Sequence, residues 1–231
     1  MTDTAKPPAR DPFDLPDVST LTVGVLGGTG EQGRGLAYRW AQAGQRVIIG
    51  SRDEQRAQAV AADLGATVEG ATNVVCAARA DVVVAAVPWA GHEALLTELR
   101  TALVGKIIVD CVNPLGFDKQ GAFALAVAQG SAAQQAAELL PDSTVVAAFH
   151  HISAVLLLDD SVPTLDTDVL VLGDKREATD TVQALANRIP GLRGIYGGRL
   201  RNAAQVEAFT ANLISINRRY KAHGGVRITD V

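Results

Sequence analysis

Short apolar runs alternate with helix-like segments through much of the chain, and this alternation most restricts the fold. Five runs are rich in β-branched residues and almost continuously apolar, at residues 21–27, 45–50, 81–88, 106–112 and 143–149. Such runs are typical of strands buried on both faces of a parallel sheet. Helical patterns lie between them at residues 33–43, 53–64 and 91–103. We therefore predict an α/β fold with a doubly wound, mostly parallel sheet and right-handed crossovers.

Beyond His151 the pattern loosens. The sequence predicts one further strand at 168–174 and helices at 175–188 and 202–220, whereas GLRGIYGG at 191–198 is interpreted as a glycine-rich loop. We predict that these residues form a small C-terminal α/β extension, at 152–231, packed on a main domain at 21–151. Residues 1–20 are polar and carry four prolines, which predicts a flexible arm.

Composition argues against several classes of function. The chain has 231 residues and a formal net charge of -4, whereas a nucleic-acid surface needs clustered Lys and Arg. No apolar run is long enough to predict a membrane span. Cys76 and Cys111 lie in apolar runs without C-x-x-C spacing, so we expect two buried, reduced thiols in a cytoplasmic protein.

A metal site is not expected. His150 and His151 are adjacent, so on a strand they would point to opposite faces and could not share a metal ion. No cluster of carboxylates or cysteines supplies further ligands in the sequence. We therefore look for an organic cofactor.

A glycine-rich turn follows the first apolar run and opens the first helix. Residues 28–33 match the G-x-G-x-x-G turn of dinucleotide-binding Rossmann-type units. In this interpretation Gly28 allows the tight turn, Gly30 lets a pyrophosphate approach the backbone, and Gly33 lets helix and strand pack closely. The helix N-terminus then attracts the phosphates. We predict that a dinucleotide contacts the whole turn, Gly28, Thr29, Gly30, Glu31, Gln32 and Gly33.

The choice of dinucleotide depends on GSRDEQR at residues 50–56. In NAD-binding units an acid usually ends this strand, but here Ser51 and Arg52 follow it. One interpretation makes Asp53 the missing acid, two residues late, and predicts NAD. A second makes Ser51 and Glu54 no more than a capping box.

A third interpretation predicts NADP, and we favour it. Ser51 and Arg52 would receive the 2′-phosphate, helped by Arg56 on the same face of the helix four residues later. The planar guanidinium group donates several hydrogen bonds to a phosphate at once. Thr29 in the glycine turn adds a hydroxyl group.

The partner that exchanges a hydride with NADP(H) is not evident from a single motif. Tyr38 is not followed four residues later by the lysine of short-chain dehydrogenases. Reducing a carbonyl needs a positioned proton donor. Passing a hydride between two organic cofactors needs mainly alignment and exclusion of water. The lack of an evident acid–base pair therefore favours transfer between two cofactors.

Several segments together resemble the NADP-dependent reductases of the deazaflavin coenzyme F420. They are LGGTGEQGRGLAYRWAQAGQRVIIGSR at 26–52, VPW at 87–89, VVAAFHHISA at 145–154 and GGRLRNAAQVEAFT at 197–210. The resemblance implies reversible hydride transfer between carbon 4 of the nicotinamide and carbon 5 of the deazaflavin, with NADP(H) and coenzyme F420 as small-molecule partners. It also implies a homodimer, in which the apolar helix around residues 206–216 could pack.

The resemblance implies roles for individual residues. His150 corresponds to the family's histidine near the deazaflavin and is the expected catalytic residue, with Ile152 just after it. The contacts to the 2′-phosphate correspond to Thr29, Ser51, Arg52 and Arg56. Archaeal members often carry Lys where Arg56 stands, which keeps the charge, but residues 154–157 depart from the A-A-R-F stretch of some members.

Two further groups of residues follow apolar strands, where α/β sheets bind ligands at the carboxyl ends. Val87, Pro88 and Trp89 follow one strand, and Trp89 would form a wall beside the nicotinamide. Asn113 and Pro114 follow the next strand.

Other functions stay open on the sequence alone. One is an NADPH-dependent reductase of a small imine, hydroxy acid, flavin or ferric substrate, related to the 6-phosphogluconate dehydrogenase-like families. Another is a module that senses NADPH without turning it over. The short second half of the chain permits such a module.

Overall fold

A computed structural model describes residues 11–231. The strands, β1 to β10, are Thr22–Leu26, Arg46–Ser51, Val68–Thr72, Val82–Ala85, Ile107–Asp110, Leu115–Asp118, Gly121–Ala124, Thr144–Ala147, Thr167–Gly173 and Leu192–Gly198. The helices, α1 to α8, are Glu31–Gln42, Glu54–Leu64, Asn73–Arg79, Trp89–Leu99, Ala132–Leu139, Ala154–Leu157, Arg176–Asn187 and Ala203–Tyr220. A short 3-10 helix, Leu200–Asn202, precedes α8.

Within this part of the chain, eight strands form one sheet in the order β10-β9-β8-β5-β4-β1-β2-β3. The six strands from β8 to β3 are parallel. Strand β9 is antiparallel to β8, and β10 is parallel to β9. The chain leaves β1 toward β2 on one side and returns to β4 on the other, so a topological switch point lies between β1 and β4. The predicted Rossmann-type, mostly parallel sheet is confirmed, and its switch point is where such folds bind dinucleotides.

The sheet is covered on both faces, which explains its continuously apolar strands. In β4, Val82 and Val84 belong to one buried cluster, and Val83 and Ala85 belong to the other. Successive side chains of a strand point to opposite faces, so each face needs an apolar residue at every second position.

Two parts of the predicted secondary structure were wrong or missing. Residues 191–198, interpreted as a loop, contain strand β10. A side chain on Gly194 would place its Cβ 2.5 Å from the Cα of Gln183, so this glycine serves close packing of β10 against α7. Strand β3, helix α3, the β6–β7 hairpin and helix α5 were not predicted. The sequence of β3, VEGAT, is too polar to show a strand pattern.

Part of the predicted N-terminal arm is packed on the domain. Val18 is buried in the core and Leu15 packs against it. The side-chain amide of Gln45 donates to the carbonyl of Val18 at 3.0 Å. The packed chain therefore begins before residue 21, and residues 1–10 of the predicted arm lie outside the described residues.

Candidate functional site

The carboxyl ends of four neighbouring strands are level with one another. Leu26 of β1 pairs with Ala85 of β4, Ala85 with Asp110 of β5, and Asp110 with Ala147 of β8. The glycine turn, VPW, Asn113 and His150 each follow within a few residues of these positions. The register therefore brings segments separated by more than 120 residues to one edge of the sheet.

The glycine turn is shaped by close backbone packing. Gly27 has a φ of 73°, a conformation that favours glycine, and a Cβ on it would lie 2.5 Å from the carbonyl oxygen of Ala86. A Cβ on Gly28 would lie 2.6 Å from that of Ile49. The tight-turn role predicted for Gly28 therefore belongs to Gly27. The lack of a side chain at Gly28 instead lets the turn pack closely against Ile49 of strand β2.

Gly33 and Gly30 differ in what surrounds them. A Cβ on Gly33 would lie 2.8 Å from the oxygen of Gly27 and 2.9 Å from the Cα of Gly28, so Gly33 packs the helix onto the turn. Gly30 is exposed and caps α1, and its Cβ would meet only the oxygen of Gly27, at 3.3 Å. The turn thus leaves its outer side open at the helix N-terminus, which fits a pyrophosphate. Thr29 is half-buried there and Glu31 is exposed.

The corner after β2 carries the predicted 2′-phosphate site. Ser51 ends β2, and its hydroxyl accepts a hydrogen bond from the backbone N–H of Asp53 at 3.1 Å. Asp53, not Ser51, caps α2 by accepting from the backbone N–H of Arg56 at 3.1 Å. The capping box predicted for Ser51 and Glu54 is therefore wrong.

The two arginines of this corner are available to a ligand. Arg52 and Arg56 are exposed, and no carboxylate among residues 11–231 forms an ion pair with either. The carboxylate of Asp53 is engaged by the helix amide of Arg56. Two unneutralised guanidinium groups beside a hydroxyl fit a phosphate dianion better than the hydroxyl pair of an unphosphorylated ribose.

VPW leads from β4 into helix α4, which begins at Trp89, two residues before the predicted start. Val87 and Trp89 are half-buried and Pro88 is exposed. The indole ring of Trp89 lies 5.5 Å from the imidazole ring of His92, centroid to centroid. Trp89 therefore lies at the sheet edge, and the ring of His92 lies next to its indole ring.

His150 follows a strained turn beyond β8. Phe149 has a φ of 63°, which is rare for residues other than glycine, and its ring packs edge-on against Trp40 at 5.5 Å. Its carbonyl oxygen accepts from the side chain of Gln32 at 3.4 Å, which links this turn to the glycine turn. His150 and His151 thus lie beyond the strand, and the predicted opposite orientation along a strand does not apply.

The His150 side chain is buried and lies close to the backbone of Cys111. Among the described residues neither ring nitrogen makes a hydrogen bond of normal geometry. Burial, partly offset by the charge of Asp110, lowers the pKa of His150 from 6.5 to about 4, so the imidazole is neutral at neutral pH. A buried polar group without a hydrogen bond lowers the stability of the folded state by about 1–3 kcal/mol. In native proteins such a group is therefore often explained by a functional role or by a bound water or ion.

Side chains from α8 hold the His150 segment in place. The Thr210 hydroxyl contacts the carbonyl oxygen of His150 at 3.2 Å and the side-chain oxygen of Asn113 at 3.1 Å. The amide of Asn113 also donates to the His150 carbonyl, at 3.3 Å. Pro114 and Ile152 are buried. The sequence pattern missed Thr210, because only the tertiary contact distinguishes it from other hydroxyls of its helix.

His151 and Glu207 complete the support from α8. His151 Nε2 lies 2.7 Å from the carbonyl oxygen of Val206, and burial lowers its pKa. Glu207 is buried, and its carboxylate accepts from the first two backbone N–H groups of α5, those of Ala132 and Ala133, at 2.8 and 3.1 Å. These bonds tie α8 to α5, and Glu207 is a second residue whose role the sequence did not reveal.

Glu207 should make stability depend on pH. Burial raises its pKa from 4.5 to about 7, so between these values the folded protein binds more protons than the unfolded chain. The free energy of unfolding then falls as pH rises through this range. A carboxamide offers only one acceptor to these two N–H groups, so we expect Glu207→Gln to be less stable than the wild type at pH ~5. Relative to the wild type, the variant should gain on the order of 2 kcal/mol between pH ~5 and pH ~8.

Urea unfolding at the two pH values measures this difference. His150 contributes an opposite slope between about 4 and 6.5, but it is present in both proteins and cancels in the comparison. Parallel pH profiles would show that Glu207 ionises like an exposed carboxyl group.

Other features of the molecule lie apart from this edge. A cavity of about 840 Å³ opens at the outer edge of the sheet beside α7 and β10, and none of the predicted cofactor residues lines it. No helix among residues 11–231 is both long and apolar enough to cross a membrane. The same residues contain no group of three or more His, Cys, Asp or Glu arranged to hold a metal ion. Cys76 and Cys111 are buried and unpaired.

Comparisons with known proteins agree with this geometry. Residues 22–114 match a family described as NADP oxidoreductase, coenzyme F420-dependent. The F420-dependent NADP reductase of Methanothermobacter thermautotrophicus is 40% identical over 226 residues, which are 93% of this chain and 97% of that protein. The protein of the same name from Methanothermobacter marburgensis is 39% identical, over 91% of this chain and 99% of its own length.

A solved structure extends the likeness to three dimensions. It comes from Arthrobacter sp. FB24, is described as a candidate F420-dependent NADP reductase, and matches with a TM-score of 0.78 at 28% identity. The match covers 90% of this chain and 99% of that one. On the strength of the long alignments at 39–40% identity, this chain belongs to the family of coenzyme F420-dependent NADP oxidoreductases.

Proposed function

We propose that this chain transfers a hydride reversibly between NADP(H) and the deazaflavin coenzyme F420. The observation that carries the proposal is the buried imidazole of His150, which makes no ring hydrogen bond of normal geometry, at the same sheet edge as an open glycine turn. Relatives of nearly full-length match bear the name F420-dependent NADP reductase. The long matches to reductases of this name do not favour an alternative small substrate or a purely sensory role.

The NADP side of the site is divided between two corners. The open turn at Gly30 and the first amides of α1 bind the pyrophosphate. Ser51, Arg52 and Arg56, with the hydroxyl of Thr29, bind the 2′-phosphate and select NADP over NAD. Both contacts are remote from the reacting carbon, so they supply binding energy and alignment without taking part in the chemistry.

The deazaflavin side lies around His150. The nicotinamide and the deazaflavin supply the hydride donor and acceptor when bound. With the deazaflavin bound, a ring N–H of His150 would donate a hydrogen bond to it, and the neutral imidazole would not supply a proton. Asn113 and Thr210 hold the backbone of His150, and Trp89 with Val87 and Pro88 would exclude water from the nicotinamide.

Mixing the purified protein with oxidised coenzyme F420 and NADPH tests the function directly. We expect the visible absorbance of the oxidised deazaflavin to bleach, and to bleach far more slowly when NADH replaces NADPH. Binding of NADPH without bleaching would contradict hydride transfer to this coenzyme. It would leave a reductase of another substrate or an NADPH sensor.

His150→Ala separates chemistry from nucleotide binding. We expect the rate of hydride transfer to fall about 100-fold, since one positioned hydrogen-bond donor contributes on this scale, while the affinity for NADPH stays within about twofold. Single-turnover bleaching and NADPH titration measure the two quantities. His223→Ala is the matched control, because His223 is exposed. A rate equal to that of the control would remove His150 from the site.

We also propose that the protein is a homodimer joined through α8. Phe209, Ile216 and Tyr220 are exposed by 42, 41 and 73%, and their spacing of seven and four residues places them on one face of the helix. Exposed apolar stripes of this kind are common at interfaces between subunits. The ring of Phe209 contacts that of His151, which lies beside His150. Burial of Phe209 in a dimer would therefore also reduce the mobility of the proposed cleft.

Ile216→Glu should convert the dimer to a monomer, because a charge would be buried without a partner at the interface. Sedimentation velocity at micromolar concentration measures the change. Ser215→Glu adds the same charge on the neighbouring, exposed face of α8 and should leave the dimer intact. A wild-type protein that sediments as a monomer would contradict the proposed assembly.

The cytoplasm is the compartment that we propose for this reaction. The two cysteines are buried as free thiols, as is usual for proteins of a reducing compartment. Burial raises the pKa of Cys76 to about 12 and raises that of Cys111, so neither thiol is reactive.

A further inference from the structure

A fully buried ion pair lies behind the cleft. The side chains of His92 in α4 and Asp110 at the end of β5 have no exposed area, and His92 Nε2 lies 2.6 Å from Asp110 Oδ2. The second ring nitrogen of His92, Nδ1, lies 3.0 Å from Oε1 of Gln135 in α5. The other carboxylate oxygen of Asp110 accepts from the backbone N–H of Val112 at 3.0 Å.

Both nitrogens of His92 face side-chain oxygens, an arrangement that favours a proton on each. The amide nitrogen of Gln135 points to the side-chain oxygen of Gln129 at 3.5 Å, which turns its oxygen toward His92. Burial by itself lowers the pKa of His92, but the hydrogen bonds and charge of Asp110, followed by Gln135, outweigh burial and raise it. The contacts with Asp110 and Gln135 therefore favour the protonated form of His92.

This pair connects two walls of the proposed cleft. His92 comes three residues after Trp89 in the same helix, and their rings lie 5.5 Å apart at an angle of 33°. Asp110 comes three residues before Asn113, which bonds to the carbonyl of His150. Breaking the pair would free the first turn of α4 from the end of β5 and leave one charge buried without a partner, which is strongly destabilising.

Further ionisable groups face the pair from the elements packed around it. Glu207 of α8 acts on the charge of His92, and the charge of Asp110 acts on His150 beyond β8 and on Glu207. These groups lie at the carboxyl edge of the sheet. The pair is thus the centre of a polar layer that underlies the cleft.

We propose that His92, paired with Asp110, is a positioning residue that holds Trp89 against the ends of β4 and β5 and thereby sets the distance for hydride transfer. The proposal rests on the cleft assigned above. His92 contacts no cofactor in this scheme, because it is buried behind Trp89. Its loss should therefore lower kcat and leave the Michaelis constant for NADPH nearly unchanged, since the phosphate contacts are distant.

The protonation state of His92 is measurable without any cofactor. The chain has four histidines, so nitrogen-15 NMR of histidine-labelled protein resolves each ring. We expect one histidine to keep both ring protons to a higher pH than an exposed histidine does, and His92→Gln to remove that signal. If the ring signal that His92→Gln removes loses its second proton at no higher pH than an exposed histidine does, the charged pair would be overturned.

Two variants test the positioning role. His92→Gln and Asp110→Asn should each lower the rate of hydride transfer by about 10- to 100-fold with little change in NADPH affinity. Protonated imidazole quenches a neighbouring indole, so the fluorescence of Trp89, taken as the difference from Trp89→Phe, should rise in His92→Gln. Asp110→Asn keeps the shape of the side chain and shows by circular dichroism whether the fold survives.

The outcomes distinguish this proposal from the proposed function. Folded variants with wild-type rates, or with unchanged Trp89 fluorescence, would overturn the positioning role even if the wild type bleaches the deazaflavin. A wild type that does not bleach it would instead contradict the function. The NMR and fluorescence measurements would still report on the His92–Asp110 pair.

Discussion

Gly30→Val should abolish binding of NADPH and NADH and leave the protein folded. The new side chain would project from the open side of the turn, where a pyrophosphate must approach the backbone. The backbone at Gly30, with φ -82° and ψ 163°, suits any residue, and the Cβ would meet only the oxygen of Gly27 at 3.3 Å. We expect a loss of affinity of at least ~100-fold, about 3 kcal/mol, by isothermal titration calorimetry.

Gly33→Ala is the contrasting variant. Its Cβ would lie 2.8 Å from the oxygen of Gly27 and 2.9 Å from the Cα of Gly28, so the helix must move away from the turn. We therefore expect Gly33→Ala to lower the melting temperature, whereas Gly30→Val should lower it little. Nucleotide binding that survives in a folded Gly30→Val protein would show that the pyrophosphate binds elsewhere.

Replacing Arg52 and Arg56 together with Ala should remove the preference for NADP. Each guanidinium would donate charge-assisted hydrogen bonds to the 2′-phosphate, worth about 1.5–3 kcal/mol in favourable cases. Because both side chains are exposed, we expect the smaller end of this range and a rise of about 100-fold in the Michaelis constant for NADPH. The constant for NADH should change little, since NAD lacks that phosphate.

Two further variants sharpen this test. Arg218→Ala with Arg219→Ala removes the same charge from exposed positions in the last turn of α8, and should leave the NADPH constant unchanged. Arg56→Lys keeps the charge but loses the planar fork, so we expect an intermediate effect. Equal losses for NADPH and NADH in the double variant would contradict the phosphate assignment and would reopen Asp53 as a ribose contact.

The sheet could be predicted because its physical signal is local. In β4, four consecutive apolar residues point alternately into two buried clusters on opposite faces of the sheet. A continuous apolar run therefore predicts burial on both faces, even when the neighbouring strands and helices are unknown. Strands β3 and β10 lack this signal because they lie at the two edges of the sheet. Their glycines and polar residues are typical of loops, and only the packing of helices against these strands distinguishes them from loops.

The proposed nucleotide half of the site depends mainly on local sequence. Its residues lie within thirty positions of one another, and each glycine or arginine has a local chemical reason. Even here the detailed roles changed, since Gly27 makes the left-handed turn and Asp53 caps the helix. These corrections depend on backbone angles that no residue type dictates alone.

What the sequence by itself determined is the class of the sheet, the glycine turn and the cluster of Ser51, Arg52 and Arg56. Only the tertiary structure decided that His150 is buried with no ring hydrogen bond of normal geometry, that Thr210 of α8 contacts its carbonyl, that Glu207 ties α8 to α5, and that His92 pairs with Asp110. The physical reason is distance along the chain. A periodic pattern reports which side of an element is buried, but a hydrogen bond between residues 18 to 75 positions apart exists only after register and packing have brought the two groups together.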